Sequence, residues 1–124
     1  MSEPLHGVVV GHGGLASALV AAVEEISGIR DALVAVSNAD CDRAVLEERV
    51  VAAAGGRPTI VFVDLPSGSC LFAALHGLGR RDGVRVVTGV NLAMLLEFVF
   101  HRDLDPDAAV SRLVETGARA IGGR

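Results

Sequence analysis

The chain opens with a buried strand, a glycine-rich turn and a helix in direct succession, and this order constrains its fold more than any other feature. Residues 8–10 are all valine, which is typical of a strand buried on both faces of a parallel sheet. The turn at 11–14 holds glycines around a histidine, and from Leu15 apolar residues recur every three or four positions. That spacing predicts an amphipathic helix, which Gly28 ends as a C-cap.

The same alternation of strand and helix continues towards the C-terminus. Further strands are predicted at 33–36, 59–63 and 84–87, and further helices at 40–54, 69–78, 91–99 and from 105 onward. Asp40 and Asp105 are predicted N-caps, because an aspartate side chain accepts hydrogen bonds from the free N–H groups of a first helical turn. The core face of the last helix is predicted to comprise Val110, Leu113, Val114, Ala118 and Ile121.

Strands that alternate with helices predict an α/β fold with right-handed crossovers. We expect a doubly wound, mainly parallel four-stranded sheet of order 2-1-3-4 with helices on both faces. The sequence leaves open whether a fifth strand is added at one edge of this sheet. No repeat, linker or low-complexity segment divides residues 1–124, so they form a single domain. In such sheets the ligand site lies at the carboxyl ends of the strands, which draws attention to loops 11–14, 64–69 and 88–91.

Composition and charge exclude several classes of protein. A net charge of -4 and a pI near 5.5 leave no basic stripe, so no nucleic-acid partner is predicted. Cys41 and Cys70 form no C-x-x-C pair, which argues against a metal knuckle or a disulfide framework and fits a reducing cytosol. The start lacks a basic signal region, and no apolar run approaches the length of about 20 residues that spans a membrane. We therefore expect a cytoplasmic protein without direct membrane insertion.

His12 is the leading candidate for a functional residue. It lies between glycines at the start of the first predicted helix, where free N–H groups and the helix dipole attract an anion. A histidine that accepts a phosphoryl group needs such a position, because its attacking nitrogen must be neutral and exposed and the product carries about two negative charges. The alternative is an exposed loop histidine without function, but this turn is where the fold places its chemistry.

Asp64 and Ser69 follow the third predicted strand, the neighbour of the first in the order 2-1-3-4. Asp64 can accept a hydrogen bond from one ring nitrogen of His12, which would fix the tautomer and make the other nitrogen a better nucleophile. Ser69 can donate to phosphoryl oxygens from a helix start. Each also has a structural interpretation as a helix cap, and their joint placement at one edge favours a site. The other histidines are predicted to be structural, with His6 solvated ahead of the first strand.

Four segments carry a resemblance to a known family in matching order and spacing. Residues 7–19 are GVVVGHGGLASAL, 62–74 are FVDLPSGSCLFAA, 89–97 are GVNLAMLLE and 114–117 are VETG. They resemble, in turn, the strand with the phosphorylated-histidine loop, the aspartate loop, the third active-edge segment and the last helix of one family. This family is the IIA component of the mannose family (mannose, fructose and sorbose type) of the bacterial phosphotransferase system.

The resemblance implies a phosphocarrier that takes part in sugar uptake. In that family the phosphocarrier protein HPr donates a phosphoryl group to the histidine aligned with His12. The IIA protein passes the group to a IIB component, which works with the membrane proteins IIC and IID. The aspartate aligned with Asp64 supports the histidine, and the serine aligned with Ser69 lies near the phosphate. A homodimer is implied, with no metal and no organic cofactor, and residues 121–124 carry no signal for the C-terminal strand that some relatives exchange.

The chain departs from the family in the loop that faces the partner. The family often has Gly-Gly-Ser-Pro where residues 67–70 are Ser-Gly-Ser-Cys, and it often has Asn where Phe72 stands. These changes leave the identity of the HPr-like and IIB-like partners open.

Other functions fit parts of the sequence. A solitary regulatory IIA protein and the phosphotransfer subunit of a dihydroxyacetone kinase system share the chemistry, although residues 89–97 favour the mannose type. A small nucleotide-binding module is suggested by residues 11–16, which match G-x-G-x-x-A after a strand. No clear acidic residue for a ribose follows the second strand, and the chain is too short for both halves of a dinucleotide fold. A histidine phosphatase would have arginine where Gly11 stands.

Overall fold

The computed structural model describes residues 3–124, in which strands and helices alternate. The strands are β1 (His6–Gly11), β2 (Leu33–Ser37), β3 (Thr59–Val63) and β4 (Val84–Thr88). The helices are α1 (Leu15–Ser27), α2 (Arg43–Ala54), α3 (Ser69–Leu78), α4 (Leu92–Phe100) and α5 (Pro106–Arg119). None of these helices combines the length and the hydropathy needed to cross a bilayer.

The four strands form one parallel sheet in the order β2-β1-β3-β4, which confirms the predicted topology. Every residue of β1 and β3 is buried, because these central strands are covered on both faces. Residues 3–124 contain no fifth strand, so this part of the chain adds no further strand to the edge of the sheet. The carboxyl ends of β1 and β3 lie side by side, since Val10 pairs with Val63 in the parallel register.

Two hydrophobic clusters cover the two faces of the sheet. On one face, Val9 and Phe62 pack with residues of α1, α4 and α5, and the ring of Phe62 meets that of Phe98 edge to face at 5.1 Å. On the other face, Val8 and Val61 pack with residues of α2 and α3. Successive side chains of a strand point to opposite faces, so the uninterrupted apolar strands supply both clusters.

The N-cap of α2 is Asp42 rather than the predicted Asp40. The Asp42 carboxylate accepts a hydrogen bond from the Val45 N–H at 2.9 Å, and its backbone is extended as an N-cap requires. Asp40 has a left-handed backbone with φ of 56° and lies in the turn before the helix. The predicted caps Asp105 and Gly28 are confirmed, and Asn91 caps α4.

The core face of α5 differs from the predicted one by a rotation of the helix. Ala109, Leu113 and Gly117 are buried, whereas Val114 is 50% exposed and Ile121 lies beyond the helix end at 78% exposure. The buried positions are four residues apart and mostly small, which lets α5 approach α4 closely. A Cβ atom on Gly117 would lie 2.8 Å from the Met94 side chain. The buried face of α5 is therefore the one whose small side chains fit against α4, and it differs from the face that the larger apolar residues predicted.

His6 is buried at the start of β1, so the prediction of a solvated residue is wrong. Only 3% of the residue is exposed. Its Nε2 atom lies 3.0 Å from the carbonyl oxygen of Ala53 and 2.9 Å from an Arg57 guanidinium nitrogen. The ring thus fills the amino edge of the sheet, away from the loops at the carboxyl ends.

Candidate active site at the carboxyl edge of the sheet

The turn between β1 and α1 holds His12 in an exposed position. The backbone leaves β1 at Gly11, and Gly13 adopts the left-handed conformation with φ of 58°, which favours glycine. The N–H of Leu15 donates to the carbonyl oxygen of His12 at 3.2 Å and closes the turn. The His12 side chain is 44% exposed. Gly14 caps α1 without a side-chain hydrogen bond, which leaves N–H groups of the first turn for an anion.

Asp64 meets His12 across the boundary between β1 and β3. Its carboxylate atom Oδ2 accepts the backbone N–H of His12 at 2.9 Å and lies 2.7 Å from the ring atom Nδ1. A carboxylate only accepts hydrogen bonds, so the proton of the neutral ring is on Nδ1 and the lone pair is on Nε2. The other carboxylate oxygen, Oδ1, accepts the N–H of Leu65 at 2.9 Å and fixes the side chain. The predicted proximity of His12 and Asp64 is thus observed.

The surroundings of Asp64 keep its carboxyl group ionised. Burial pushes the pKa upward, but hydrogen bonds from the His12 ring and backbone, with further electrostatic attraction to His12 and the Leu65 N–H, outweigh it and lower the pKa below its ordinary value. An ionised Asp64 stabilises a positive or hydrogen-bond-donating imidazole and orients the ring.

Cys70 is a third member of this cluster and was not among the predicted site residues. It lies in the first turn of α3, is fully buried, and has its Sγ atom 3.7 Å from Nδ1 of His12. Burial, followed by the negative charge of Asp64, raises the pKa of Cys70 to about 11, so the side chain is a neutral thiol. The available signal was its place next to Ser69 at the start of the helix that follows Asp64.

The end of β2 supports the histidine turn with two further polar side chains. The Asn38 side-chain oxygen accepts the Gly13 N–H at 3.1 Å, and the Ser37 hydroxyl donates to the Gly13 carbonyl oxygen at 2.7 Å. Neither residue was among the predicted site residues. Because β2 is the other neighbour of β1, its carboxyl end was a signal for their position.

Ser69 is at the same edge of the sheet but does not touch the histidine ring. It is the first residue of α3 and lines a shallow groove together with Asn38 and Arg43. Within residues 3–124, no hydrogen bond links it to His12 or Asp64. The loop at 88–91 gives Asn91, which caps α4 and donates to the Gly117 carbonyl oxygen at 3.0 Å, a structural role.

The fold and the site define an α/β protein with an exposed histidine, backed by a carboxylate, at the N-terminus of a helix. The family model described as "PTS system fructose IIA component" matches residues 7–115, so the chain belongs to the family of IIA components of the phosphotransferase system. This family acts in phosphotransfer during sugar uptake, within a system of partner components. The resemblance found in the sequence is therefore confirmed.

Solved structures of phosphotransferase-system IIA proteins are similar to this chain over nearly their full length. The mannose/sorbose-specific IIA subunit of Enterococcus faecalis is 25% identical, with a TM-score of 0.84 over 98% of this chain and 96% of that chain. The component EIIA of Streptococcus agalactiae is 19% identical, with a TM-score of 0.88 over 96% of each chain. The second likeness shows the fold alone. A search of curated proteins found no match to this chain.

Proposed function

We propose that this protein is a phosphocarrier that accepts a phosphoryl group from phospho-HPr on Nε2 of His12 and passes it to a IIB component. The observation that carries the proposal is the 2.7 Å contact between His12 Nδ1 and Asp64 Oδ2. It commits Nδ1 to a carboxylate and leaves Nε2 of an exposed ring as the nucleophile. Membership of the IIA family supports phosphotransfer as the chemistry.

The transfer step is an in-line displacement between two histidines. The lone pair of Nε2 forms a bond to phosphorus as the bond from phosphorus to the donor histidine breaks, and the donor nitrogen keeps that electron pair. The transition state is loose and metaphosphate-like, so positioning and electrostatics supply most of the catalysis. The Nδ1 proton stays between His12 and Asp64. Onward transfer to the IIB component follows the same path in reverse.

The phosphoryl group would lie near the start of α1. Its negative charge is favoured by the N-terminal end of the helix dipole and by N–H groups that no side chain caps. Ser69 is assigned the role of a hydrogen-bond donor to a phosphoryl oxygen, supported by its position on the same edge. No metal and no organic cofactor take part in this scheme.

The deciding experiment is intact-mass spectrometry after incubation with phosphoenolpyruvate, enzyme I and HPr. The wild type should gain one acid-labile phosphoryl group, and His12→Ala should gain none while its circular dichroism spectrum stays unchanged. His101→Ala is the matched control, because His101 is an exposed histidine that pairs with Glu97 at the C-terminal end of α4, away from the site. Phosphorylation of His12→Ala, or none of the wild type with HPr from the same organism, would contradict the proposal.

We also propose that the protein is a homodimer in which residues 121–124 form no exchanged strand. Residues 121–124 adopt no regular structure after α5, which supports the absence of exchange. Light scattering coupled to size-exclusion chromatography should give twice the mass of 12.8 kDa. A variant that lacks residues 121–124 should still have twice the mass of one chain. Its conversion to monomers would contradict the proposal that these residues form no exchanged strand.

A further inference from the structure

Three different metal-ligand atoms converge at the carboxyl edge of the sheet. One ligand atom each from His12, Asp64 and Cys70 lies within 4.8 Å of the others. The histidine comes from the turn after β1, the aspartate from the end of β3 and the cysteine from the first turn of α3. Each side chain is therefore held by a separate, well-anchored part of the fold, which reduces the ordering needed to gather the ligands around an ion.

The spacing of these atoms suits a tetrahedral thiophilic ion. Bonds of about 2.0–2.3 Å from Zn²⁺ to nitrogen, oxygen and sulfur place ligand atoms roughly 3–4 Å apart. The 3.7 Å between Cys70 Sγ and His12 Nδ1 lies in that range, and the 2.7 Å between Nδ1 and Asp64 Oδ2 needs only a small widening. Three protein ligands leave the fourth tetrahedral position to water or another ligand.

From this geometry we propose that His12, Asp64 and Cys70 form a binding site for a divalent thiophilic cation of the Zn²⁺ class. The Cys70 thiol releases its proton to solvent as the sulfur–metal bond forms. The Nδ1 lone pair of His12 binds the ion, so the ring proton moves through solvent from Nδ1 to Nε2. Asp64 exchanges its hydrogen bond from Nδ1 for a bond to the metal.

Occupation of this site would also prevent phosphorylation. A proton on Nε2 uses the lone pair that would attack phosphorus, and Asp64 no longer orients the ring. Metal binding and phosphorylation should therefore exclude each other. This consequence rests on the proposed phosphocarrier function, whereas metal binding itself does not.

The experiment titrates the reduced, tag-free full chain with Zn²⁺ by calorimetry and with Co²⁺ by absorption spectroscopy. One ion should bind per chain, and the Co²⁺ form should show a near-ultraviolet band from thiolate-to-metal charge transfer. Cys70→Ser should lose that band and weaken Zn²⁺ binding by at least about tenfold. Cys41→Ser is the matched control and should behave as the wild type. Equal Zn²⁺ affinity in the wild type and Cys70→Ser would overturn the proposal.

A second variant guards against misfolding of the first. His12 is exposed, so His12→Ala should keep the fold and lose Zn²⁺ affinity to the same degree as Cys70→Ser. Unchanged affinity in His12→Ala would overturn the site. These metal-binding measurements need no HPr. If the protein binds Zn²⁺ through Cys70 but accepts no phosphoryl group when it is metal-free, the metal site stands and only the proposed phosphocarrier function is refuted. Equal Zn²⁺ binding before and after phosphorylation would refute the exclusion.

Discussion

The two ring nitrogens of His12 have different surroundings, and this difference is the basis of the proposed chemistry. Nδ1 faces Asp64 and lies beside the neutral thiol of Cys70, whereas the ring is exposed to solvent on its other side. An imidazole with both nitrogens in water would exchange tautomers freely. A carboxylate behind Nδ1 selects the tautomer with the lone pair on Nε2, as the orienting aspartate does in a catalytic triad.

Loss of the Asp64 charge should slow phosphorylation without ending it. Asp64→Asn retains a hydrogen-bond acceptor but no charge, and Asp64→Ala removes both, so the rate should fall in that order. By comparison with partners that orient metal-bound histidines, a decrease of about 10- to 100-fold is expected. Rapid-quench mass spectrometry with phospho-HPr measures the rate. A wild-type rate in Asp64→Ala would refute the supporting role of the carboxylate.

His6 should make the stability of the protein depend on pH. Burial lowers the pKa of His6, the Ala53 hydrogen bond opposes this, and the positive charges of Arg57 and Arg102 lower it further. A histidine whose pKa is lower in the folded chain binds protons more tightly when unfolded, so protonation favours unfolding. Its contribution to stability is complete above the ordinary value of 6.5 and is lost as pH falls below it towards the folded pKa.

Urea unfolding between pH 5 and 8 tests this dependence on His6. The free energy of unfolding of the wild type should fall with decreasing pH, and His6→Gln should show a shallower slope whatever its absolute stability. His101→Gln is the control, because His101 is an exposed residue at the end of α4. Parallel pH profiles for the wild type and His6→Gln would show that burial of His6 does not govern the effect.

The start of α2 shows how tertiary contacts choose between neighbouring capping residues. Asp40 and Asp42 are both good N-cap residues, and local sequence cannot separate them. The Arg49 guanidinium donates to the carbonyl oxygens of Ser37 and Ala39, both at 2.9 Å, and holds the preceding turn in place. The helix therefore begins at Arg43, two residues later than it would begin with Asp40 as its N-cap.

Removal of the Asp42 side chain should destabilise the protein, whereas a change at Asp40 should not. Asp42→Ala loses the hydrogen bond to the Val45 N–H and should cost about 1 kcal/mol of stability. Asp40→Gly removes a side chain from a left-handed backbone and should be neutral or slightly stabilising. Chemical denaturation of both variants compares these effects. A larger loss in Asp40→Gly than in Asp42→Ala would contradict the assignment of the cap.

The sequence was sufficient for those features that depend on backbone topology. The valine-rich runs predicted the strands, and the order 2-1-3-4 then placed Asp64 beside His12 without knowledge of any side-chain contact. The position of Cys70 and the buried face of α5 depend on side-chain direction and on the distance between helices. A Cβ on Gly117 would crowd Met94, a condition that appears only once α4 and α5 are packed together.

The two ends of the parallel strands have different roles in this protein. The carboxyl ends form the chemical edge, which holds the candidate active site, and the amino ends form the structural edge. All four strands are parallel, so their carboxyl ends share one edge with His12 and Asp64, and the buried His6 lies at the opposite edge. Exposed apolar residues occur at both edges. Leu15, Leu65 and Phe72 lie in the first turns and the loop on the chemical edge, whereas Ile26 lies near the end of α1 at the opposite one.

Phe72 is the exposed aromatic residue best placed to contact a phosphoryl donor. The residue is 44% exposed, and its ring stacks on His76 with a centroid distance of 5.3 Å and has the Arg43 guanidinium 3.9 Å from its centroid. These two contacts hold the ring in place without covering it. A preordered aromatic side chain is the kind of residue that contributes most to protein interfaces.

Phe72→Asp should therefore weaken docking of phospho-HPr more than it slows the chemical step. We expect the KM for the donor to rise about tenfold, which corresponds to about 1.4 kcal/mol, with a much smaller change in kcat. Ile26→Asp is the matched control: it introduces the same charge at a residue that is 59% exposed, near the opposite edge of the sheet. Initial rates over a range of phospho-HPr concentrations separate the two constants. Equal KM values for both variants would place the docking surface elsewhere, and a fall in kcat alone would make Phe72 part of the transfer geometry instead.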